Sequence, residues 1–285
     1  MNIIKIQGGL GNQLFQLLYA IEISGSHKNL DQIYFDTSFY ENNNKRVFYL
    51  SSILNVQLKI IANHRNNLNL GYFDSFLYKL KKKISCLLQN KVDHVTTKKN
   101  DDIIYHDGYW QYYNYHSEDY KLLKLLLCED YFLSLIKKKR LNKTLNDIIR
   151  NESVSIHIRR TDYLNKENKK IYNNVSINYY IQAIYLLKVI KKNIKFFIFS
   201  DVPIYCKEIF SKYLFFRDCE IINTNDTCID FYLMSKCKNH IYCNSTFSLL
   251  ASILSKQSKE KIIIGPKKWF VKKKNISHPY DPILI

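Results

Sequence analysis

SVSIHIRRTDY, Ser153 to Tyr163, is the stretch on which the fold turns. Val154, Ile156 and Ile158 make a short apolar run that reads as a buried strand, and the chain breaks into a loop at Arg159 and Arg160. Two guanidinium groups are thereby placed at a strand's carboxyl end, where open α/β sheets bind their ligands. Arginine's planar fork suits phosphate and stays charged at any working pH. A solvated loop salt bridge to Asp162 is the competing reading, because paired basic residues are common in so basic a chain.

Working outward, strand candidates at 153–158, 195–200, 219–222, 239–243 and 261–264 alternate with helical candidates at 177–191, 203–213, 227–236 and 246–256. This βαβα alternation predicts a parallel sheet covered on both faces. The first half begins with the strand IIKIQ, the loop GGLGNQ and an amphipathic stretch from Leu14 to about Ser24. Ile33–Asp36 and Ile103–His106 read as further strands, the latter running into GYWQYYNYH. Between them the signal is weak, with a basic, partly helical stretch around Tyr78 to Leu88. Helices are expected around Ser117–Leu127 and Tyr131–Arg150, and a division near residue 150 separates units 1–150 and 151–285.

Composition sets outer limits. A chain of 285 residues can bury a substantial core, and 46% hydrophobic content argues against disorder. The net charge of +18 implies an anionic partner: nucleic acid, a membrane surface or a phosphorylated substrate. The Lys, Asn, Ile and Tyr bias also looks like AT-rich coding sequence, so part of that charge carries no message about function. No clustered basic-aromatic face or recognised module supports nucleic-acid binding. The start reads directly as a strand with no leader, and no apolar stretch approaches a bilayer span, so a cytoplasmic protein is expected. Seven cysteines, odd in number and without a Cys-x-x-Cys pair, read as reduced thiols instead of a disulfide framework or zinc site.

Four further features could carry chemistry. Gly8, Gly9 and Gly11 lie between a strand and a helix, where backbone can approach a ligand closely or simply turn tightly. They match neither a dinucleotide fingerprint nor a Walker loop, and Asn12 and Gln13 add uncharged groups suited to hydroxyls. Asn244, Ser245 and Thr246 follow a strand and precede a helix near Phe247, so they either cap that helix or help bind a phosphate. Asp201, after FFIFS, either faces the same ligand or caps the helix at Pro203. Trp110 and the tyrosines around it could stack on a sugar or pack as core. No Asp-x-Asp element occurs, so positive side chains would have to neutralise a phosphate leaving group.

With these residues in view, the chain resembles the bacterial α-1,2-fucosyltransferases. The matching pieces run in family order: IQGGLGNQLFQ, GYWQ, HIRRTDY, FIFSD, CNSTFS and GPKKWF, spanning Gly8 to Trp269. The resemblance implies an α/β, GT-B-like architecture of two Rossmann-like units facing a central cleft. The C-terminal unit would hold GDP-fucose and the N-terminal unit would contribute acceptor contacts. By motif match Arg159 falls on the family's essential arginine at the β-phosphate, with Arg160 and Asp162 completing the element and Asn12 a cleft asparagine. His157 and Asp230 match guanine contacts of the α-1,6 relatives. Ser245, Thr246, Phe247 and Ser248 match the phosphate-binding turn, and Gly9 and Gly11 join the donor side. Trp110 and Asp107 are placed with the acceptor, and Asp107 and His106 are candidate general bases.

The chemistry implied is metal-independent inverting transfer of L-fucose to a galactose 2-hydroxyl, with no cofactor. The acceptor would be an oligosaccharide or a lipid-linked glycan of a surface polysaccharide, met at the cytoplasmic face of the inner membrane through peripheral contact. Another GDP-linked sugar on the same fold is the alternative. The chain departs from the family at Leu249 and Leu250, where many relatives carry paired tryptophans, and at Val202, where many carry a second aspartate. Both departures bear on acceptor choice and positioning.

Overall fold

The structure is a computed structural model that describes residues 1–25, 27–41, 43, 46–61, 94–99, 103–161, 173, 175–271, 276 and 278–285. It contains two compact units, Met1–Cys128 and Glu129–Ile285. Asp162 and the expected Tyr78–Leu88 helix lie outside the described residues.

The first unit is built on strands β1 (Asn2–Lys5), β2 (Ile33–Asp36), β3 (Lys59–Ile60), β4 (His94–Lys99) and β5 (Ile103–Gly108), ordered β3-β2-β1-β5-β4. All pairs are parallel except β4 with β5, an antiparallel edge that weak sequence signal did not reveal. Helix α1 (Leu10–Ser24) buries Leu14, Phe15, Leu17, Leu18 and Ile21. It begins four residues earlier than the apolar pattern suggested, so Gly11 belongs to its buried first turn and the glycine loop shrinks to Gly8 and Gly9. Helices α2 (Leu50–Ile53) and α3 (Ser117–Leu126) also belong to the unit.

The second unit carries β6 (Glu152–Ile158), β7 (Ile194–Ser200), β8 (Cys219–Ile222), β9 (Asn239–Ile241), β10 (Ile263–Gly265) and β11 (Ile283–Leu284). Their order is β11-β10-β9-β6-β7-β8, and every pair is parallel. Helices α4 (Glu129–Lys138), α5 (Asn142–Arg150), α6 (Ile177–Ile190), α7 (Pro203–Phe210), α8 (Thr227–Lys236) and α9 (Thr246–Leu254) accompany it. The near-continuous apolar β7, IKFFIFS, is what a strand covered on both faces requires. Val154, Ile156 and Ile158 of β6 pack with Tyr180, Ala183, Ile184 and Leu187 of α6 and Phe210 of α7. The chain steps from β6 to β7 and β8 on one side, then returns to β9, β10 and β11 on the other. The order therefore reverses between β6 and β9, and such a reversal opens a crevice beyond the strands' carboxyl ends.

The units divide after Cys128, not near residue 150. The expected Tyr131–Arg150 helix is two helices, broken at Arg140, whose φ is +58°. Both belong with the second unit through specific contacts. The Phe132 ring stacks on Tyr232 of α8 with centroids 5.0 Å apart. The Glu129 carboxylate accepts hydrogen bonds from the Tyr232 hydroxyl at 2.8 Å and Lys236 Nζ at 2.6 Å. Lys195 of β7 pairs with Asp147 at 3.0 Å. Sequence periodicity marks helices without marking the partner on which they pack.

Phe132→Ala is expected to lower the unfolding free energy by about 3–5 kcal/mol, as for other buried aromatics. Denaturant titration checks this, and a loss below about 1 kcal/mol would detach residues 129–150 from the second unit's cooperative core.

Candidate functional site

The loops that leave the carboxyl ends of β6, β7, β8 and β9 bring together most of the residues singled out in the second unit. Arg159 follows β6 and Ser245 follows β9, so the two flank the reversal of strand order. Arg159 Nη1 lies 3.4 Å from Ser245 Oγ. Ser245 is the N-cap of α9, yet its hydroxyl makes no capping bond to that helix, which removes the simple capping reading for it. Ser248 Oγ instead donates to the Ser245 carbonyl at 3.2 Å. An arginine beside a helix N-terminus forms an electropositive corner suited to phosphate, with Thr246 and Phe247 half-buried at its edge.

Arg160 points elsewhere: its guanidinium lies over the Tyr205 ring of α7, 4.5 Å from the centroid. Its expected share in phosphate binding is not what this geometry displays, because stacking on an aromatic face holds the fork against α7. Asp201, at the end of β7, accepts from the Arg160 amide at 3.0 Å, the Thr161 amide at 3.0 Å and the Thr161 hydroxyl. It does not cap α7, whose N-cap is Val202. Asp201 therefore fixes the backbone path of the arginine loop. The sequence offered both roles considered for it, but a backbone acceptor 40 residues downstream leaves no pattern in a sequence.

On the α8–α9 side, His157 lies with its ring 5.4 Å from Phe247, which in turn meets Phe231 at 5.4 Å. His157 Nδ1 is 3.2 Å from Cys243 Sγ. Beyond β8, Asp226 caps α8 by accepting from the Cys228 and Ile229 amides. Thr224 Oγ1 accepts from the Asp226 amide and donates to Asp230 Oδ1 at 2.6 Å. Burial, the largest influence, pushes the Asp230 carboxyl up to about 6, against the lowering effect of the Thr224 hydrogen bond. Thr224 went unnoticed in the sequence, although its place between a strand and an Asp-capped helix was a usable signal. Asn244 is structural: Nδ2 donates to the carbonyls of Asn173 and Trp269 and ties the GPKKWF segment down.

The first unit assembles its own set at the ends of β1 and β5, where its strand order also reverses. Gly8 has φ +85°, and an added Cβ would come within 2.6 Å of Asn12 Nδ2, so glycine is required there. Asn12 Oδ1 accepts from Gln111 Nε2 at 2.9 Å, which orients the amide. Gln13 holds protein, not ligand hydroxyls: fully buried, it donates to the Gly8 and Val47 carbonyls and accepts from the Tyr49 amide. Gln16 likewise accepts from the Gln7 amide and donates to the Gly108 carbonyl. Buried amides must satisfy their bonds, and here the partners are backbone.

Trp110 and Asp107, expected with the acceptor, and His106, a candidate base, are engaged internally. Trp110 is 4% exposed and stacks on Tyr19 at 3.6 Å, so it packs as core and offers no platform. Asp107 is 2% exposed, 3.5 Å from Lys5 Nζ, and accepts from Gln7 Nε2. His106 meets the Tyr19 hydroxyl through Nδ1 and Asn2 through Nε2, and burial drives its pKa down to about 4. Neither Asp107 nor His106 is posed as a general base. Among the described residues no three His, Cys, Asp or Glu side chains gather as a metal site requires. Six cysteines are free thiols among those residues.

Residues 1–279 match the family described as Glycosyl transferase family 11. An α-1,2-colitosyltransferase of Escherichia coli is 31% identical over 293 residues, covering 98% of this chain and 95% of that protein. The O-antigen biosynthesis glycosyltransferase WbnK of Escherichia coli is 32% identical over 122 residues, 41% of this chain and 39% of its own length. Among solved structures, NodZ α-1,6-fucosyltransferase soaked with GDP-fucose aligns with a TM-score of 0.53 at 12% identity, over 89% of this chain and 92% of that one. POFUT1 in complex with GDP aligns with a TM-score of 0.50 at 10% identity, over 93% and 97%. The structural likeness speaks for the fold, a GT-B-like α/β chain with two Rossmann-like sheets.

Replacing Asp201 with Ala should speed amide hydrogen exchange at Arg160 and Thr161 by roughly 10- to 100-fold, the value of a charge-assisted hydrogen bond. Unchanged exchange at both amides in a folded variant would show that the carboxylate does not hold the loop.

Proposed function

The chain belongs to glycosyl transferase family 11, and we propose that it moves L-fucose from GDP-β-L-fucose to a galactose 2-hydroxyl of a surface glycan. One observation carries this reading: Arg159 and the α9 N-terminus meet at the reversal of strand order, with Asp230 and His157 on adjoining elements. The proposal assigns Arg159 and the Ser245–Ser248 turn to the diphosphate, and His157 and Asp230 to guanine. It leaves Asn12 with Gly8 and Gly9 to the N-terminal unit's contribution. Arg160 and Asp201 set the loop.

As the glycosidic bond of the donor breaks, the sugar becomes oxocarbenium-like and GDP gathers negative charge. A fixed guanidinium at the β-phosphate stabilises that charge more than it stabilises the bound donor, and this difference is what accelerates the reaction. A β-linked donor giving an α-linked product implies single displacement by the acceptor hydroxyl. With Arg159 taking the leaving-group charge, the reading asks for no metal. The glycan would be an O-antigen or related polymer, in keeping with the named role of one relative. We place the protein in the cytoplasm, with its acceptor lipid-linked at the inner membrane. No helix among the described residues is long and apolar enough to cross a membrane.

A second donor calls for direct comparison because a full-length relative is named a colitosyltransferase. Colitose is fucose without its 3-hydroxyl. A site that hydrogen-bonds that hydroxyl rejects the deoxy sugar by several orders of magnitude, whereas an apolar site discriminates weakly. Initial rates with GDP-fucose and GDP-colitose, in EDTA, on a β-galactoside acceptor decide the matter. Faster transfer from GDP-fucose supports the proposal; preference for GDP-colitose replaces the sugar and keeps the nucleotide assignment; activity only with manganese overturns the metal-free reading.

Arg159→Lys should lower turnover by about 100-fold or more, since a point charge replaces a fork at the position of developing charge. Near-normal turnover in a folded variant removes the assignment.

Asp230 yields a prediction with two signs. Its folded pKa, about 6, stands above the unfolded value, so ionisation costs stability as pH rises from about 4 to about 6 and the full cost persists above that window. At pH 7.5 Asp230→Asn should stabilise the ligand-free protein by roughly 1–3 kcal/mol, since each tenfold change in proton affinity is worth about 1.4 kcal/mol. The same change should weaken GDP, and wild-type affinity should fall as pH drops through 6. Thermal melts and calorimetric titration read both, and a variant with unaltered GDP affinity would falsify the guanine assignment.

A further inference from the structure

Thr224 lies between β8 and α8, 9% exposed, with its hydroxyl where three polar groups meet. Oγ1 is 3.1 Å from the Asp226 amide, 3.1 Å from the Asp226 carbonyl and 2.6 Å from Oδ1 of Asp230. The amide can only donate, so it anchors Oγ1 to the backbone. The hydroxyl has one proton to give and two acceptors in reach. The Asp226 carbonyl already accepts from the Asp230 amide at 3.0 Å, the first bond inside α8. The contact to the carboxylate is shorter, and a charged acceptor makes the stronger bond. The proton therefore goes to Asp230.

One oxygen of Asp230 is thus tied to a hydroxyl that is itself tied to the backbone. The other, Oδ2, makes no hydrogen bond among the described residues, and the side chain is half-buried. An ionised carboxylate can accept about four hydrogen bonds, so one held partly out of water with a single bond is under-satisfied. Its raised pKa, about 6, reflects the same deficit. A ligand that brings N–H donors relieves it. The torsion that orients a carboxylate is broad and nearly two-fold, so without a partner its plane would swing. Thr224 sets that plane before any ligand arrives.

We infer that Thr224 is a positioning residue that fixes the Asp230 carboxylate for the N–H donors of guanine, and so sets the preference for GDP over nucleotides whose base lacks them. This rests on the nucleotide assignment made above. Guanine carries N1–H and its N2 amino group side by side, whereas adenine has a bare acceptor at N1. A carboxylate held in one orientation accepts from the first edge and repels the second, and a site built around such a bond rejects the base that cannot make it. Pre-orientation lowers the cost of ordering the side chain on binding, which is where the threonine acts. In sequence, Thr224, Asp226 and Asp230 read together as the start of a capped helix, and nothing there singles out a ligand group.

Calorimetric titration of the full chain with GDP and with ADP, at a pH about two units above the Asp230 pKa, separates positioning from stability. Thr224→Val, equal in shape but without the hydroxyl, should weaken GDP roughly three- to tenfold, the value of one hydrogen bond. ADP affinity should stay as it is, so the preference narrows by the same factor. Thr224→Ser, which keeps the hydroxyl, should restore both. In an Asp230→Asn background Thr224→Val should cost GDP less than about twofold more, because the carboxylate it positions is gone. If Thr224→Val does not fold, Thr224→Ala carries the same expectation; if neither folds while Thr224→Ser does, the hydroxyl serves stability and the inference falls. It falls equally if GDP and ADP weaken together, if GDP affinity is unaltered, or if the loss is undiminished beside Asp230→Asn. A wild type that binds GDP no better than ADP overturns the guanine assignment itself.

Discussion

A single carboxylate, that of Asp201, gathers the backbone amides of Arg160 and Thr161 and thereby sets the course of the loop that follows the central strand β6. The placement of both arginines at the carboxyl end of the sheet depends on that course. With the loop held, Arg159 reaches Ser245 across the reversal of strand order, and Arg160 turns to the opposite side and rests on Tyr205. Two adjacent like charges are separated by this division. One is left at the helix N-terminus, where an anion is favoured, and the other is stabilised by an aromatic face.

The central strand itself serves two functions at once. Because successive side chains point to opposite faces, Val154, Ile156 and Ile158 join the apolar core while Ser153, Ser155 and His157 are buried on the other side. Each of the polar three has a defined partner. Ser153 accepts from the Lys238 amide, Ser155 meets His240 Nδ1 at 2.7 Å, and His157 meets Cys243. His240 continues to Ser255 through Nε2 and is kept neutral by burial. A polar row inside a hydrophobic sheet is costly unless every member is paired. Here the pairing also aligns β6 with β9, the two strands that flank the crevice.

In the first unit the same principle works through glutamines. Gln13 and Gln16 sit three residues apart on the buried face of α1 and commit their amides to the backbone around Gly8, Val47, Tyr49, Gln7 and Gly108. The glycine loop is thus braced from below. Its conformation is set by the φ of Gly8, with Asn12 folded over it and held by Gln111. The motif GGLGNQLFQ therefore joins one glycine at positive φ to two internal struts, with Asn12 lying over that glycine.

The alternation of strands and helices from 153 to 264 was legible in the sequence, because burial on both faces forces apolar strands and amphipathic helices with recognisable periods. The arginine pair, the serine turn and the glycine loop were legible too, as residue types that do little for a core. Partnership was not. That helices 129–138 and 142–150 belong with the second unit depends on Phe132 finding Tyr232, a contact across about a hundred residues. Trp110 and Asp107 looked like acceptor residues, yet tertiary packing gave them Tyr19 and Lys5 as neighbours. The amino-acid sequence by itself determined the fold class and the chemistry available at the strand ends. Only the tertiary structure decided which arginine meets the helix terminus and which carboxylate holds the loop. The physical reason is that periodicity and composition are local along the chain, whereas hydrogen bonds and burial are settled by residues that meet only when it folds.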